Sequence, residues 1–178
     1  MDAILSLVSE YNFVADDVES IRCEIPPLVD TCLIYTNPDN TEHARFSLEA
    51  CVAMALCEGN LNNSVFTEQK IAAPGLRTVM KRVQRHVRDD FNSGQKIDSP
   101  QPKEAARLIV HLTDNRRLEK TVLFAKGNNE NPLSGTELET KFKGLAHGYL
   151  SDDTSATFRQ MVLDLESLKE VNILTDYL

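Results

Sequence analysis

Between Tyr35 and Ser47 the chain gathers a phenol, an imidazole, a guanidinium and a hydroxyl, groups suited to moving protons and holding an anion. The Tyr35 phenol can donate a hydrogen bond to an anion or deliver a proton. His43 and Arg45 follow strong turn chemistry at Asn37-Pro38-Asp39-Asn40 and precede the start of an apolar helix, where unpaired backbone amides favour anions. With Ser47 they can help hold an anion. A plainer account stands beside each: a half-buried tyrosine at a strand end, a histidine that fixes the turn, a solvated arginine. For Ser47 the plainer account, a helix cap, is the stronger one.

The elements that must position these groups follow from hydrophobic periodicity. Ile4, Leu5, Leu7, Val8 and Tyr11 mark one face of a short N-terminal helix. Ile21, Cys23 and Ile25 alternate with Arg22 and Glu24, the pattern of a half-buried strand, which Pro26-Pro27 stop. Cys32 and Ile34 predict a short extended piece ending near Tyr35. Phe46, Ala50, Ala53, Met54 and Cys57 keep helical spacing with a small-residue face suited to close packing, and Gly59 is placed as the stop. Val65 to Lys70 reads as a further helical turn, and Pro74 as the opening of another short helix.

After a loop rich in Ser, Gly and Pro (Ser93 to Pro102) comes the clearest β-hairpin. Leu108, Val110 and Leu112 alternate along its first arm, Asp114-Asn115 turn, and the chain returns through Leu118, Val122 and Phe124. Ser134 with Glu137 forms a capping box. The helix it opens carries Leu138, Phe142 and Leu145 and ends near Gly148. Ser151-Asp152-Asp153 open the last helix, with Phe158, Met161, Val162, Leu165 and Leu168 on its apolar face, and Val171, Ile173 and Leu174 add one more turn. Helices and strands are thus interleaved. The expected class is α+β: a small antiparallel or mixed sheet with a central hairpin, residues 105–125, covered by helices. The loops at 93–102 and 126–133 are too short for domain linkers, so 1–178 reads as a single domain.

Composition excludes several function classes. The 178 residues suffice for one real core, and no apolar run approaches the ~18 residues of a membrane span. An acid at Asp2, where a signal peptide would carry Lys or Arg, points to a cytoplasmic protein with no membrane partner. Net charge −8 discourages binding to nucleic acid. The one dense basic run, Lys81 to Arg88, lacks interleaved aromatics and reads as a solvated edge element. Cys23, Cys32, Cys51 and Cys57 include no C-x-x-C pair and the histidines are scattered, so reduced buried thiols, no metal site and no cofactor are expected. Hydrolase, P-loop and dinucleotide motifs do not occur.

Two stretches carry a resemblance. They are Thr41-Glu42-His43-Ala44-Arg45-Phe46-Ser47-Leu48-Glu49-Ala50 running into Cys51-Val52-Ala53-Met54-Ala55-Leu56, and Asn131-Pro132-Leu133-Ser134-Gly135-Thr136-Glu137-Leu138-Glu139-Thr140-Lys141-Phe142. In this order they resemble the C-terminal, lid-like α+β domain of the MmgE/PrpD family, which includes 2-methylcitrate dehydratase, cis-aconitate decarboxylase and iminodisuccinate epimerase. The resemblance implies proton abstraction α to a carboxylate, then loss of water or carbon dioxide, in a cleft shared with a large helical domain. It also implies that most acid–base residues sit on that other domain, absent here, so that the chain alone is inactive. Tyr35 lies where cis-aconitate decarboxylase-like members carry an active-site tyrosine, and is the expected catalytic residue. His43 and Arg45 are the expected substrate contacts. The implied partners are a small polycarboxylate bound together with the helical domain, and further copies of the full enzyme. Two alternatives stand: a non-catalytic interaction module that keeps the fold, and an epimerase, since epimerisation needs the same proton abstraction.

Overall fold

The computed structural model describes residues 1–91 and 105–177, so the loop expected at 93–102 lies outside the described residues. The chain divides into two compact units, Met1–Pro132 and Leu133–Leu178.

The first unit holds the sheet. In chain order it runs α1 (Asp2–Tyr11), β1 (Val18–Ile25), α2 (Pro27–Cys32), α3 (Thr41–Arg45), α4 (Leu48–Glu58), α5 (Glu68–Ala72), α6 (Pro74–Met80), β2 (Val83–Val87), β3 (Ala106–Leu112) and β4 (Arg117–Val122). The strand order is β2-β1-β3-β4. β1 runs parallel to β2, with Ile21 opposite Val83, and antiparallel to β3, with Ile21 opposite Val110; β3 and β4 form the expected hairpin. The sheet is therefore mixed, in an α+β fold. β2 lies at its edge, as the basic run predicted.

Strand alternation sorts the two faces. Ile21, Cys23, Ile25, Val83, Leu108, Val110, Leu112 and Leu118 are buried on the face that carries the helices. Arg22, Glu24, Arg107, Glu119 and Arg117 share the other face, where cross-strand neighbours alternate in sign. There Glu24 is only 3% exposed, ringed by Arg22 at 3.0 Å, Arg88 at 2.7 Å and Arg107 at 3.6 Å. Three cations at one carboxylate explain how a charge tolerates that burial.

α4 is the centre of the helical layer. Ser47 caps it by accepting from the Ala50 amide, and Gly59, at φ 68°, ends it. Every residue from Leu48 to Leu56 is buried, and Ala50, Ala53 and Ala55 have no exposed surface. Small side chains let neighbouring elements approach closely, and a larger one would overpack at a cost of about 1–3 kcal/mol. Phe46, expected on this helix, instead ends α3 and is exposed, as is Cys57.

Two further expectations change. The short extended piece through Cys32 and Ile34 is absent; Pro27 opens a helix there, because its fixed φ suits a first helical position, and Thr31 returns a hydrogen bond to the Leu28 carbonyl. The basic run is not merely solvated. Arg82 donates to the carbonyls of Ala15 and Val18, Arg88 pairs with Glu24, and Arg85 points into the helical layer.

The second unit contains α7 (Gly135–Ala146), α8 (Asp152–Leu163) and a final 3-10 segment (Val171–Tyr177). The capping box forms as expected: Ser134 accepts from the Glu137 amide while Glu137 accepts from the Ser134 amide. Ser151 caps α8, and Phe158 stacks on Phe142. α7 buries no residue and α8 buries only Ser155. Among the described residues no helix is long and apolar enough to cross a membrane.

Candidate functional site

The prolines that start α2 and the Asn37-Pro38 turn leave Tyr35 in the irregular segment between α2 and α3. Its amide donates to the Phe46 carbonyl at 3.2 Å, which pins the segment alongside the end of α3. Asn40 then caps α3 by accepting from the His43 amide at 2.9 Å, and this sets His43 one turn above the cap. The result is a stacked pair: the Tyr35 and His43 rings lie 4.0 Å apart between centroids at 18°. Tyr35 is half-buried, which leaves it accessible, although it does not sit at a strand end.

Asp39 completes the group. Its Oδ1 lies 2.9 Å from His43 Nδ1 and 3.0 Å from Asn40 Nδ2. The hydrogen bond with His43 is the first cause that holds the Asp39 carboxyl below its ordinary range, with a backbone hydrogen bond next and Arg77 helping. An ionised carboxylate only accepts, so Nδ1 carries a proton toward Asp39 and the Asn40 amide also donates to that oxygen. The ring's other nitrogen, Nε2, is thereby the one available to take up or release a proton. The arrangement is that of an oriented acid–base side chain beside a phenol.

Arg45 is directed elsewhere. Its guanidinium lies 5.6 Å from the Phe66 ring centroid, and the residue lines an apolar cavity of about 450 Å³ with Met1, Ile25, Leu28, Cys32 and Cys51. Neither Tyr35 nor His43 lines that cavity. The structure thus unites Tyr35 with His43 and gives Arg45 other neighbours. His43 and Arg45 lie within a short helix of their own, α3, directly ahead of α4, and Ser47 is the cap that the sequence indicated.

Asp39 and Asn40 escaped the sequence reading, which took them only as turn residues. Their signal was present: Asn at the cap, with Asp and His four positions apart, places a carboxylate against an imidazole. Arg77 was missed as well. Its Nη1 donates to Asn37 Oδ1 at 2.7 Å across a long sequence separation that no local pattern displays.

The thiols divide by environment. Burial pushes Cys23 up to about 12 and Cys51 up to about 11, while Cys32 and Cys57 are exposed, contrary to the expectation of uniformly buried thiols. Among the described residues no group of His, Cys, Asp and Glu is arranged to hold a metal ion.

Comparison with known proteins places this chain in a family. Cis-aconitate decarboxylase of Mus musculus is 26% identical over 167 residues, covering 92% of this chain and 32% of the relative. The Homo sapiens protein of the same name is 26% identical over 141 residues, covering 79% of this chain and 28% of its own length. The chain thus spans about a third of the length of the curated relatives it matches. The model of the MmgE/PrpD C-terminal domain matches residues 1–167, and the chain belongs to that family.

Proposed function

We propose that this chain is the lid-like domain of an MmgE/PrpD-type lyase for small di- or tricarboxylates, acting together with a helical half. The observation that carries the reading is the Tyr35–His43 pair with Asp39 on Nδ1. In a dehydration, a base removes the proton on the carbon α to a carboxylate and the hydroxyl leaves as water after receiving a proton. In a decarboxylation, the bond to one carboxylate carbon breaks, carbon dioxide departs and the carbon left behind takes up a proton. Either course needs a proton carrier beside the substrate's carboxylates, and His43 Nε2 and the Tyr35 phenol are chemically suited to the role. Arg45 supplies a cation at the neighbouring cavity. The names of both relatives favour decarboxylation over dehydration.

The second unit supports the need for a companion. Leu138 and Leu145 on α7, Val162 and Leu163 on α8, and Leu165 just after it are between 45% and 63% exposed, and bare apolar side chains gathered on one unit call for a covering surface.

The test mixes the chain with a separately expressed helical half and follows cis-aconitate decarboxylation and 2-methylcitrate dehydration. Turnover is expected only in the mixture. Tyr35→Phe and His43→Gln should each lower kcat by roughly 10²–10⁴. Robust turnover by this chain alone would overturn the division of labour, and full activity of Tyr35→Phe would remove its catalytic role.

A further inference from the structure

A second cavity opens directly beside the Tyr35 segment. It has a volume of about 240 Å³ and is lined by Thr36, Asn37, Arg77, Met80 and Lys81. Arg77 and Lys81 are four positions apart around the end of α6, so both cations project over one face. Among the described residues neither forms an ion pair with a carboxylate; the Arg77 bond to Asn37 uses only one of its donors. Because Asn37 Oδ1 accepts from Arg77, its amide nitrogen remains as a donor, and the Thr36 hydroxyl adds another at the same wall. The acid that feels Arg77 is Asp39, and its carboxylate is already engaged by His43 and Asn40. In a chain of net charge −8, a small recess with two cations outside any ion pair among the described residues and two neutral donors is a local exception.

We propose that the Arg77–Lys81 recess is an anion subsite that holds a carboxylate group of a small polycarboxylate. Arg77 offers the planar fork that matches a carboxylate, and Lys81 offers a point charge from the rim. Thr36 and Asn37 directly follow Tyr35, so an acid with several carboxylates can place one here and present its remaining carbons toward the phenol. The sequence reading had dismissed Lys81 as part of a solvated run. The identity of the anion rests on the function proposed above; its electrostatic capture does not, since it requires no turnover.

The experiment measures binding by this chain alone, titrated with citrate, acetate and inorganic phosphate by calorimetry at low ionic strength. Citrate should bind, with acetate and phosphate weaker. Lys81→Gln and Arg77→Gln should each weaken citrate by about fivefold, the increment of an exposed charge contact, and added salt should weaken it further. Asp39→Asn should tighten it by removing a neighbouring negative charge. Lys81→Gln is the decisive variant, because Lys81 is exposed and its loss leaves the fold untouched. Unchanged citrate affinity in Lys81→Gln, absence of citrate binding, or phosphate binding as tight as citrate would each overturn the assignment. An inactive mixture with the helical half would leave these titrations standing, so the two proposals fail separately.

Discussion

Arg85 is the residue whose removal tests the packing argument most severely. It sits on the helix-facing side of β2, where alternation calls for an apolar side chain, and binds three groups on two helices at once. Its guanidinium donates to Asp30 at 2.9 Å, to the Leu33 carbonyl at 2.6 Å and to Glu49 at 3.1 Å. Burial alone would lower its pKa, and the bonds from Asp30 and Glu49 reverse that and raise it. The Arg85 and Glu49 side chains are only 17% and 10% exposed. Arg85→Met fills the volume but strands the Glu49 carboxylate, whose remaining contact is the Ser47 hydroxyl at 3.4 Å, and leaves the Leu33 carbonyl without this donor. Breaking a fully buried pair costs about 3–5 kcal/mol. Asp30, 35% exposed, regains water, so the lower end applies: about 3 kcal/mol. For a chain of this length that corresponds to a fall in Tm of roughly 6–12 °C. Urea unfolding should show a lower midpoint at unchanged slope. Combining Arg85→Met with Glu49→Gln should lose less than the sum of the two, by about 1–2 kcal/mol. A loss below about 1 kcal/mol for Arg85→Met, or strict additivity in the double variant, would refute the bridge between α2, α4 and β2.

Other expectations are more local. Glu24 feels burial, which pushes its carboxyl up, but Arg88, Arg22 and Arg107 outweigh this and hold it below its ordinary range. Its contribution is therefore complete above the unfolded carboxyl's pKa of about 4.3 and is lost as pH falls through the lower folded value. Glu24→Gln should accordingly flatten the acid limb of a stability–pH profile, and an unchanged limb would count against the three-arginine ring. A thiol reagent should label Cys32 and Cys57 quickly in the native chain and reach Cys23 and Cys51 only on unfolding; four fast thiols would contradict the described burial. Gly59→Ala should cost about 1 kcal/mol from its left-handed backbone alone, since no atom crowds the site, as read by thermal melting. Ser134→Ala should cost about 1 kcal/mol and reduce α7 helicity by circular dichroism; unchanged helicity would count against the capping box.

The parts of this fold legible in the sequence are those that local physics decides. The β3–β4 hairpin needs only alternation and a turn at Asp114-Asn115, and α4 needs only its Ser47 cap, small-residue face and Gly59 stop. The Ser134 box was readable for the same reason. The piece after Pro26 was misread because apolar residues over a short span fit a strand and a helical turn equally well, and proline geometry settled the choice. The candidate site was half legible. Tyr35 and His43 could be named singly, but their stacking depends on the Asn40 cap and the Tyr35–Phe46 backbone bond acting together. Arg85 and Arg77 owe their roles to partners far away in sequence, which charge patterning cannot see.

The parallel pairing of β1 with β2 has a bearing on how the chain reaches this state. Ile21 must find Val83 on one side and Val110 on the other, so the strand emerging first from a ribosome waits longest for its neighbours. During that interval α1 and α4 can wind up, yet nothing seals the sheet they are to cover. Closure is then a late, concerted event governed by chain entropy. A chaperone acting before β3 appears would protect Ile21, Cys23 and Ile25 from adhering to the wrong chain, whereas slow synthesis at that stage would lengthen their exposure.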